Sequence, residues 1–462
     1  MRNTISLGIF LILFSMTALA QPSLQLPAHQ KTKLPNGLTL ILMRQTEVPL
    51  VSFSIGVRAG AINDPSGKEG VSSVTAELLR KGTKARTADQ LSSELDFVGG
   101  TVSFGAELDF VRGQAEFLKK DLTLGLDVVA DLLLNPTFPQ TELDKLLAQR
   151  IDGVKQSKDR AAAVIQNYFN GYLYGQHAYG RPEDGDEKSL AAIKRADVLN
   201  FYKNNYTPAA ITIAVVGDFD PAAMLSALKA KFGSWNPGVD CCAPPPPPPV
   251  AFKGKKLLLV DKPDSTQTYF LIGNLGIARN NPDRVGIQVI NTVFGGRFTS
   301  MLNDALRVSS GLTYGARSTF TQYRVAGPFV ISTYTANKTT VQAIDMALDL
   351  LKKLHEQGLS EEQLKSAQAY IKGTFPPNIE TNDQLARLLV EMEVYGLNEN
   401  EINEFFAKID ALTIADTKRI IQTYYPLDNL VFTLIGKADE IREQVKKYAP
   451  QLDEKKINQV GF

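Results

Sequence analysis

A run of six consecutive prolines, Pro244 to Pro249, is the feature that most constrains how this chain can fold. Such a run lacks backbone N–H donors and adopts the extended polyproline II conformation, so it cannot continue a helix or join the interior of a sheet. It follows a Trp-Asn-Pro-Gly stretch at 235–238 that is itself typical of a loop. We therefore expect a first domain at 28–237, a stiff linker at 238–251 and a second domain at 252–450.

The two halves on either side of the linker resemble each other. Near its end, the first half has an apolar strand pattern at Ile211 to Val216, then a glycine turn and a helical stretch, and the second half repeats this order from Leu430 to Ile435. The early strand patterns Val51 to Val57 and Thr268 to Leu275 correspond in the same way. The repeat is too long for a solenoid. It predicts a duplicated α+β fold in which each domain has a mainly antiparallel sheet with helices on one face.

Residues 1–20 have the pattern of a secretory signal. A short apolar run at 5–16 is followed by the small residues Ala18 and Ala20, which fit the rule for signal cleavage. The run is too short for a stable membrane span, and Gln21 offers no thiol for lipid attachment. We expect export to the periplasm, without membrane insertion after cleavage.

Charge and cysteine content exclude several classes of function. The chain has 50 basic and 49 acidic residues, so electrostatics give no reason to expect binding to nucleic acid or to an anionic membrane. The two cysteines, Cys241 and Cys242, are adjacent and do not form a disulfide framework. A vicinal bridge, a bond to another chain and a linker feature without catalytic role all remain open.

A strand and a helix in the first half carry a resemblance to a known family. The strand runs through Val51 to Ala61, and the helical stretch Gly70 to Thr83 ends in a Lys-Gly-Thr turn. The chain here resembles the M16 peptidases, and the resemblance spans roughly residues 30 to 450. In active members this helix carries H-x-x-E-H. Its two histidines hold zinc and its glutamate acts as general base. The resemblance implies that each half of the chain is an M16-type domain and that the two domains have a clam-like arrangement.

The zinc motif of the family is degenerate in this chain. Aligning the Lys-Gly-Thr turn places Ser73 and Glu77 at the two histidine positions and Ala76 at the position of the base. The third family ligand, a glutamate on a later helix, falls on Gly153 or Val154. Neither of these can bind zinc through its side chain, so the resemblance implies no metal and no catalytic residue in this chain.

The histidine content agrees with this interpretation. The chain has three histidines, His29, His177 and His355, and none has another within four residues. No H-x-x-E-H or H-E-x-x-H motif can therefore occur. His177 is expected in a structural turn and His355 near a helix end.

Two other chemistries at the same helix remain as alternatives. Glu77 and Asp152 could hold a weakly bound hard cation through their carboxylates. Ser72 or Ser73 could be a nucleophile, although neither lies in a G-x-S-x-G elbow and no histidine is near in sequence.

The second half retains a different part of the family pattern. A Gly-rich turn and helix, Phe294 to Arg307, leads into Gly-Leu-Thr-Tyr at 311–314. The resemblance makes Arg307 and Tyr314 the substrate-binding pair, which holds the peptide backbone and the carbonyl under attack. An arginine and a phenol are suitable because negative charge develops on that carbonyl oxygen.

Taken together, these features indicate a non-catalytic, substrate-binding subunit of a heterodimeric zinc peptidase. In two-chain members of the family, one subunit carries H-x-x-E-H and zinc, and the other supplies the arginine and tyrosine. The expected ligands are therefore a catalytic partner chain and a peptide. A peptide could also add to the strands predicted at 99–104 and 107–116. The alternative is a catalytically silent scaffold or peptide-binding protein of the cell envelope.

Overall fold

The computed structural model describes residues 24–236 and 246–462. The signal predicted at 1–20 lies outside the described residues, as do Cys241 and Cys242. The described part of the proline run, 246–249, has no regular secondary structure. In the described ranges, no helix combines the length and the apolar character needed to cross a membrane.

Residues 24–236 form one six-stranded sheet and eight α-helices. The strands are β1 Gln30–Lys33, β2 Thr39–Arg44, β3 Leu50–Val57, β4 Thr101–Ala106, β5 Val111–Leu118 and β6 Ile211–Gly217. The helices are α1 Val71–Leu78, α2 Ala88–Val98, α3 Leu122–Leu134, α4 Gln140–Ser157, α5 Ala161–Tyr174, α6 Glu187–Ala192, α7 Arg195–Asn205 and α8 Pro221–Phe232.

Residues 246–462 form a second six-stranded sheet and nine α-helices. The strands are β7 Lys255–Asp261, β8 Gln267–Leu275, β9 Arg317–Phe320, β10 Pro328–Ala336, β11 Leu430–Gly436 and β12 Gln451–Lys456. The helices are α9 Arg284–Asn291, α10 Met301–Asn303, α11 Thr340–Gln357, α12 Glu361–Thr374, α13 Asn382–Tyr395, α14 Asn400–Asn403, α15 Phe405–Asp410, α16 Ile414–Tyr424 and α17 Ala438–Val445. Helices α9 and α10 each continue into a π-helical turn, Thr292–Gly296 and Asp304–Ser309.

The two sheets share one topology. Their strand orders are β1-β2-β6-β3-β5-β4 and β12-β7-β11-β8-β10-β9, so five strands correspond one to one. The pairs β2–β6 and β7–β11 are parallel, and the other pairs between corresponding strands are antiparallel. The predicted α+β fold and its duplication are confirmed. Strand β12 lies beyond the predicted end at residue 450 and pairs with β7, so the second sheet extends past that boundary.

The central strands of the first sheet are buried on both faces. A strand with one face in solvent would instead alternate buried and exposed residues. Strand β6 is buried at all seven positions, and β3 is buried at all but its first residue. The helices of the first half, such as α3 and α8, cover one face in an apolar core. The other face needs a second layer, because a strand with apolar side chains on both sides must be covered twice.

That second layer comes from the opposite half of the chain. Helix α13 packs across β3 and β6 of the first sheet, where Val390 and Leu389 join Met43 and Ala214 in a shared core. Its approach depends on Gly56 in β3, because a Cβ atom there would lie 2.5 Å from Val390 Cγ1.

Helix α5 covers the second sheet in the reciprocal way. Its residues Val164 and Phe169 are buried in one cluster with Leu258, Leu271 and Val431. Each sheet therefore has its own helices on one face, as predicted, and a helix of the other half on the opposite face.

A buried carboxylate connects the two halves at their contact. Asp109 is 1% exposed and accepts hydrogen bonds from the Tyr179 hydroxyl at 2.6 Å, the Arg324 backbone N–H at 2.7 Å and the Tyr395 hydroxyl at 3.2 Å. Arg324 and Tyr395 belong to the second half. Satisfied polar groups of this kind fix the relative position of the elements that supply them.

Candidate functional site

Helix α1 begins at a glycine and a buried carboxylate. Gly70 precedes it with a φ of 93°, a conformation that favours glycine. Asp64 accepts hydrogen bonds from the backbone N–H groups of Gly70 at 2.6 Å and Ser72 at 2.9 Å, which satisfies donors at the start of the helix. Burial raises the pKa of the Asp64 carboxyl to about 7, although hydrogen bonds from Ser72 and Gly70 oppose this shift.

The three positions of the degenerate motif lie on this helix. Ser73 and Ala76 are buried, and Glu77 is half-buried. The guanidinium of Arg150 in α4 lies against them. Its Nη1 donates to Ser73 Oγ at 2.9 Å, and its Nη2 donates to Glu77 Oε2 at 2.9 Å. Ser73 Oγ in turn donates to Asp184 Oδ1 at 2.6 Å. A side-chain cation therefore occupies the space between the two positions that correspond to metal ligands.

These residues do not fit a zinc ion. A zinc site needs three or four nitrogen, sulfur or carboxylate donors. Here the one carboxylate of the motif, Glu77, is paired with Arg150. Gly153 has no atom within 4 Å of where its Cβ would be, and Val154 is half-buried among apolar residues. Among the described residues, no group of three or more histidine, cysteine or acidic side chains could hold a metal.

The two alternative chemistries find little geometric support. Asp152 is exposed and pairs with Lys155 at 3.3 Å, whereas Glu77 pairs with Arg150, so the two carboxylates face different cations. Ser72 is fully buried, and the Ser73 hydroxyl is engaged by Arg150 and Asp184.

The three histidines serve local structure in separate parts of the chain. His29 lies 3.5 Å from Glu399, and His177 Nε2 lies 2.9 Å from the carbonyl of Pro247 in the linker. His355 hydrogen-bonds the carbonyl of Tyr425.

In the second half, a tight turn places Arg307 and Tyr314 side by side. Leu306 is fully buried and anchors the turn, and its carbonyl accepts from the N–H of Leu312 at 3.0 Å. Gly311 supplies the positive φ of 64° that the turn requires. Residue 314 thereby returns to the same surface as residue 307.

Arg307 lies between two exposed aromatic rings. Its guanidinium carbon is 4.4 Å from the ring centroid of Tyr314 and 4.8 Å from that of Phe298. Tyr314 is 75% exposed and Phe298 is 62% exposed. No described side chain forms an ion pair with Arg307, so its N–H donors face solvent. The structure thus brings the predicted pair together and adds Phe298, which sequence reasoning missed.

The predicted peptide-binding edge is present in the first sheet. Strand β4 is the outermost strand, and it pairs only with β5. Arg80 Nη1 donates to the Val102 carbonyl at 2.6 Å, so one backbone acceptor of this edge is already occupied.

Arg150 and Asp184 are the residues of the first site that sequence reasoning missed. A signal was available for Arg150, because it precedes Gly153 by three residues and Val154 by four. Residues at these spacings share a helix face. Asp184 lies in a loop more than a hundred residues from Ser73, and no local pattern could connect them.

The duplicated α+β fold and the degenerate helix site define a protein with the architecture of inverted-motif zinc peptidases. Residues 40–182 match the family described as Insulinase (Peptidase family M16), and residues 192–371 match the one described as Peptidase M16 inactive domain. The chain belongs to the M16 peptidase family.

Known proteins support this assignment. An uncharacterized zinc protease of Streptomyces coelicolor is 24% identical over 396 residues, which cover 85% of this chain and 86% of that protein. The structure of a peptidase M16 inactive domain from Pseudomonas fluorescens has a TM-score of 0.83 at 23% identity, covering 88% of this chain and 98% of that one. A protease from Helicobacter pylori has a TM-score of 0.82 at 19% identity, covering 89% and 100%. These structures share the fold.

Proposed function

We propose that this chain is the non-catalytic, substrate-binding subunit of a two-chain M16 peptidase. A partner with H-x-x-E-H would supply the zinc, and this chain would supply Arg307 and Tyr314. One contrast carries the proposal. The metal position of the first half is closed by the Arg150–Glu77 ion pair, whereas in the second half Tyr314 is exposed, Arg307 is half-buried and no described carboxylate pairs with Arg307.

The chemistry of peptide hydrolysis suits these two side chains. Negative charge develops on the scissile carbonyl oxygen, and donors aimed at it stabilise the transition state. A guanidinium offers N–H donors in a fixed planar arrangement, and two rings flank that of Arg307. The Tyr314 hydroxyl is a neutral donor that no described residue engages.

Reconstitution of the two chains tests this role. Arg307→Gln should lower kcat by about 10² to 10³ and Tyr314→Phe by about tenfold, because both lose a donor to the developing oxyanion. The matched control is Arg44→Gln, an exposed arginine at the end of β2. Zinc content of the complex should stay unchanged in all three variants.

Full peptidase activity in the Arg307→Gln and Tyr314→Phe complexes would contradict the proposal.

Purification of the protein from the envelope fraction provides a second test. A stoichiometric companion with H-x-x-E-H and one zinc per pair is expected. A lone chain or a homodimer would instead favour the scaffold alternative.

The signal pattern at 1–20 supports a periplasmic location for this complex. Amino-terminal sequencing of the protein from a periplasmic extract should begin at Gln21. An uncleaved chain in the membrane fraction would contradict this part of the proposal.

A further inference from the structure

The second half contains a group of arginines that have no acidic partner among the described residues. Arg297, Arg307 and Arg317 form no ion pair with any described carboxylate, and they contact aromatic rings or serine hydroxyls instead. Other arginines of this half, such as Arg279 and Arg419, are paired with carboxylates. These three side chains therefore carry charge that no described carboxylate neutralises within 4 Å.

These arginines surround a groove on the second sheet. The groove has a volume of about 710 Å³ and runs between α5 and the surface of β8, β10 and β9. Arg297 and Arg317 line it directly, and Phe298 separates it from Arg307. No aspartate or glutamate is among the residues that line it.

Besides polar side chains such as Gln166, Thr319 and Ser332, the lining contains apolar and aromatic ones. Tyr269 and Tyr334 stack at 4.9 Å between ring centroids, and Ile165 and Val330 complete the wall. Rings and aliphatic side chains of this kind bind apolar groups, while a few polar groups set the orientation of a ligand.

The hydrogen bonds of the two lining arginines are incomplete. Arg297 Nη1 donates to Ser366 Oγ at 3.0 Å, but its buried Nε has no partner. Arg317 is exposed, and its Nε donates to Ser332 Oγ at 3.3 Å. A guanidinium has five N–H donors, so most of them remain available. The Arg297 Nε–H group is therefore available to an acceptor, either water or a ligand.

We propose that this groove binds an acidic segment of an extended peptide. Arg297 and Arg317 are the specificity-determining residues that bind its carboxylates, and the Tyr269–Tyr334 pair receives an adjacent apolar side chain. The peptide as the class of ligand rests on the proposed function. The preference for acidic residues rests on the unpaired arginines and on the absence of lining carboxylates.

Direct binding to the isolated full-length chain tests this inference without the partner subunit. Three fluorescent decapeptides share one apolar sequence and differ only in four positions, which are all Glu, all Gln or all Lys. The Glu peptide should bind most tightly by fluorescence anisotropy, and its affinity should fall as salt is raised, because screening weakens exposed charge pairs.

Matched variants locate the effect. Arg297→Gln and Arg317→Gln should each weaken binding of the Glu peptide by about five- to tenfold and leave the Gln peptide nearly unchanged, because a charged hydrogen bond is lost. Arg44→Gln should bind all three peptides like the wild type. Circular dichroism and thermal melting verify that each variant is folded.

Equal affinity for the Glu and Gln peptides would overturn the inference, as would unchanged binding in the Arg297→Gln, Arg317→Gln double variant. Competition by a dT10 oligonucleotide as strong as that by the Glu peptide would also overturn it, since charge alone would then explain binding. These failures are separable from failure of the proposed function. If the chain binds the Glu and Gln peptides equally but the activity of the complex still depends on Arg307, only the proposal for the groove is contradicted. If the chain prefers the Glu peptide but the activity of the complex does not depend on Arg307, only the proposed subunit role is contradicted.

Discussion

At the scale of single residues, Arg150 determines what the degenerate site can be. Its guanidinium joins Ser73 and Glu77 of α1 to α4, as a metal ion shared between two helices would. Unlike a metal, it brings no open coordination position for water, so it cannot activate a nucleophile. In this chain the contact links the two helices through a side-chain cation.

The strength of this link can be measured by a double-mutant cycle. Arg150→Met and Glu77→Gln, alone and together, should show a coupling of about 0.5 to 1 kcal/mol in the free energy of unfolding, because the pair is only partly shielded from water. Lys155→Met, which breaks an exposed pair with Asp152 on the same helix, is the control and should change stability by less than about 0.5 kcal/mol. A coupling near zero would show that the contact does not stabilise the fold.

Asp64 should make stability depend on pH. Its pKa is raised to about 7 by burial, so between pH 4 and 7 the folded state holds a proton that the unfolded state has released. Stability should therefore fall as pH rises through this window, by at most on the order of 4 kcal/mol from this group. Urea denaturation at pH 5 and pH 8 should show a smaller difference for Asp64→Asn than for the wild type. Equal differences would contradict this assignment.

Motifs that resemble those of the M16 family identified the candidate site positions. They missed Arg150 and Asp184, which contact Ser73 in this chain. The resemblance of short motifs to the M16 family implies Ser73, Ala76, Glu77 and the Arg307–Tyr314 pair. No motif marks Arg150, which lies three residues before the position expected to hold a metal ligand. The contact depends on two helices packing at a particular distance, which spacing in one helix does not specify.

At the scale of elements, the close packing of α13 on β3 depends on the absence of a side chain at Gly56. A Cβ there would meet Val390 Cγ1 at 2.5 Å and Val394 Cγ2 at 3.1 Å. The apolar stripes of α5 and α13 are typical of amphipathic helices. They could not show that each helix covers the sheet of the opposite half, because a stripe records burial and not the partner that buries it.

Gly56→Val should therefore destabilise the protein by about 2 to 3 kcal/mol through overpacking. Val390→Ala in the same chain should recover part of this loss by making room. The control is Gly153→Ala, in open space on α4, which should stabilise by about 0.5 to 1 kcal/mol because alanine favours a helix. A neutral Gly56→Val would show that α13 can shift without cost.

At the scale of the whole molecule, the exchange of helices and the Asp109 contacts should make the two halves unfold together. Neither sheet keeps both faces covered if the other half unfolds. Trp235 is the single tryptophan and lies in the first half, whereas far-ultraviolet circular dichroism reports on both halves. The two signals should give coincident urea transitions, as in a two-state process. Separate transitions would show that the halves are independent.

Arg150 places a positive charge of the chain itself against Ser73 and Glu77, so we expect that folding of the first half does not depend on a bound metal. Growth under zinc limitation should leave its amount and its melting temperature unchanged. In the proposed two-chain assembly, a zinc shortage would act through the companion subunit, and the supply of metal would set how many folded copies of this chain find a loaded partner.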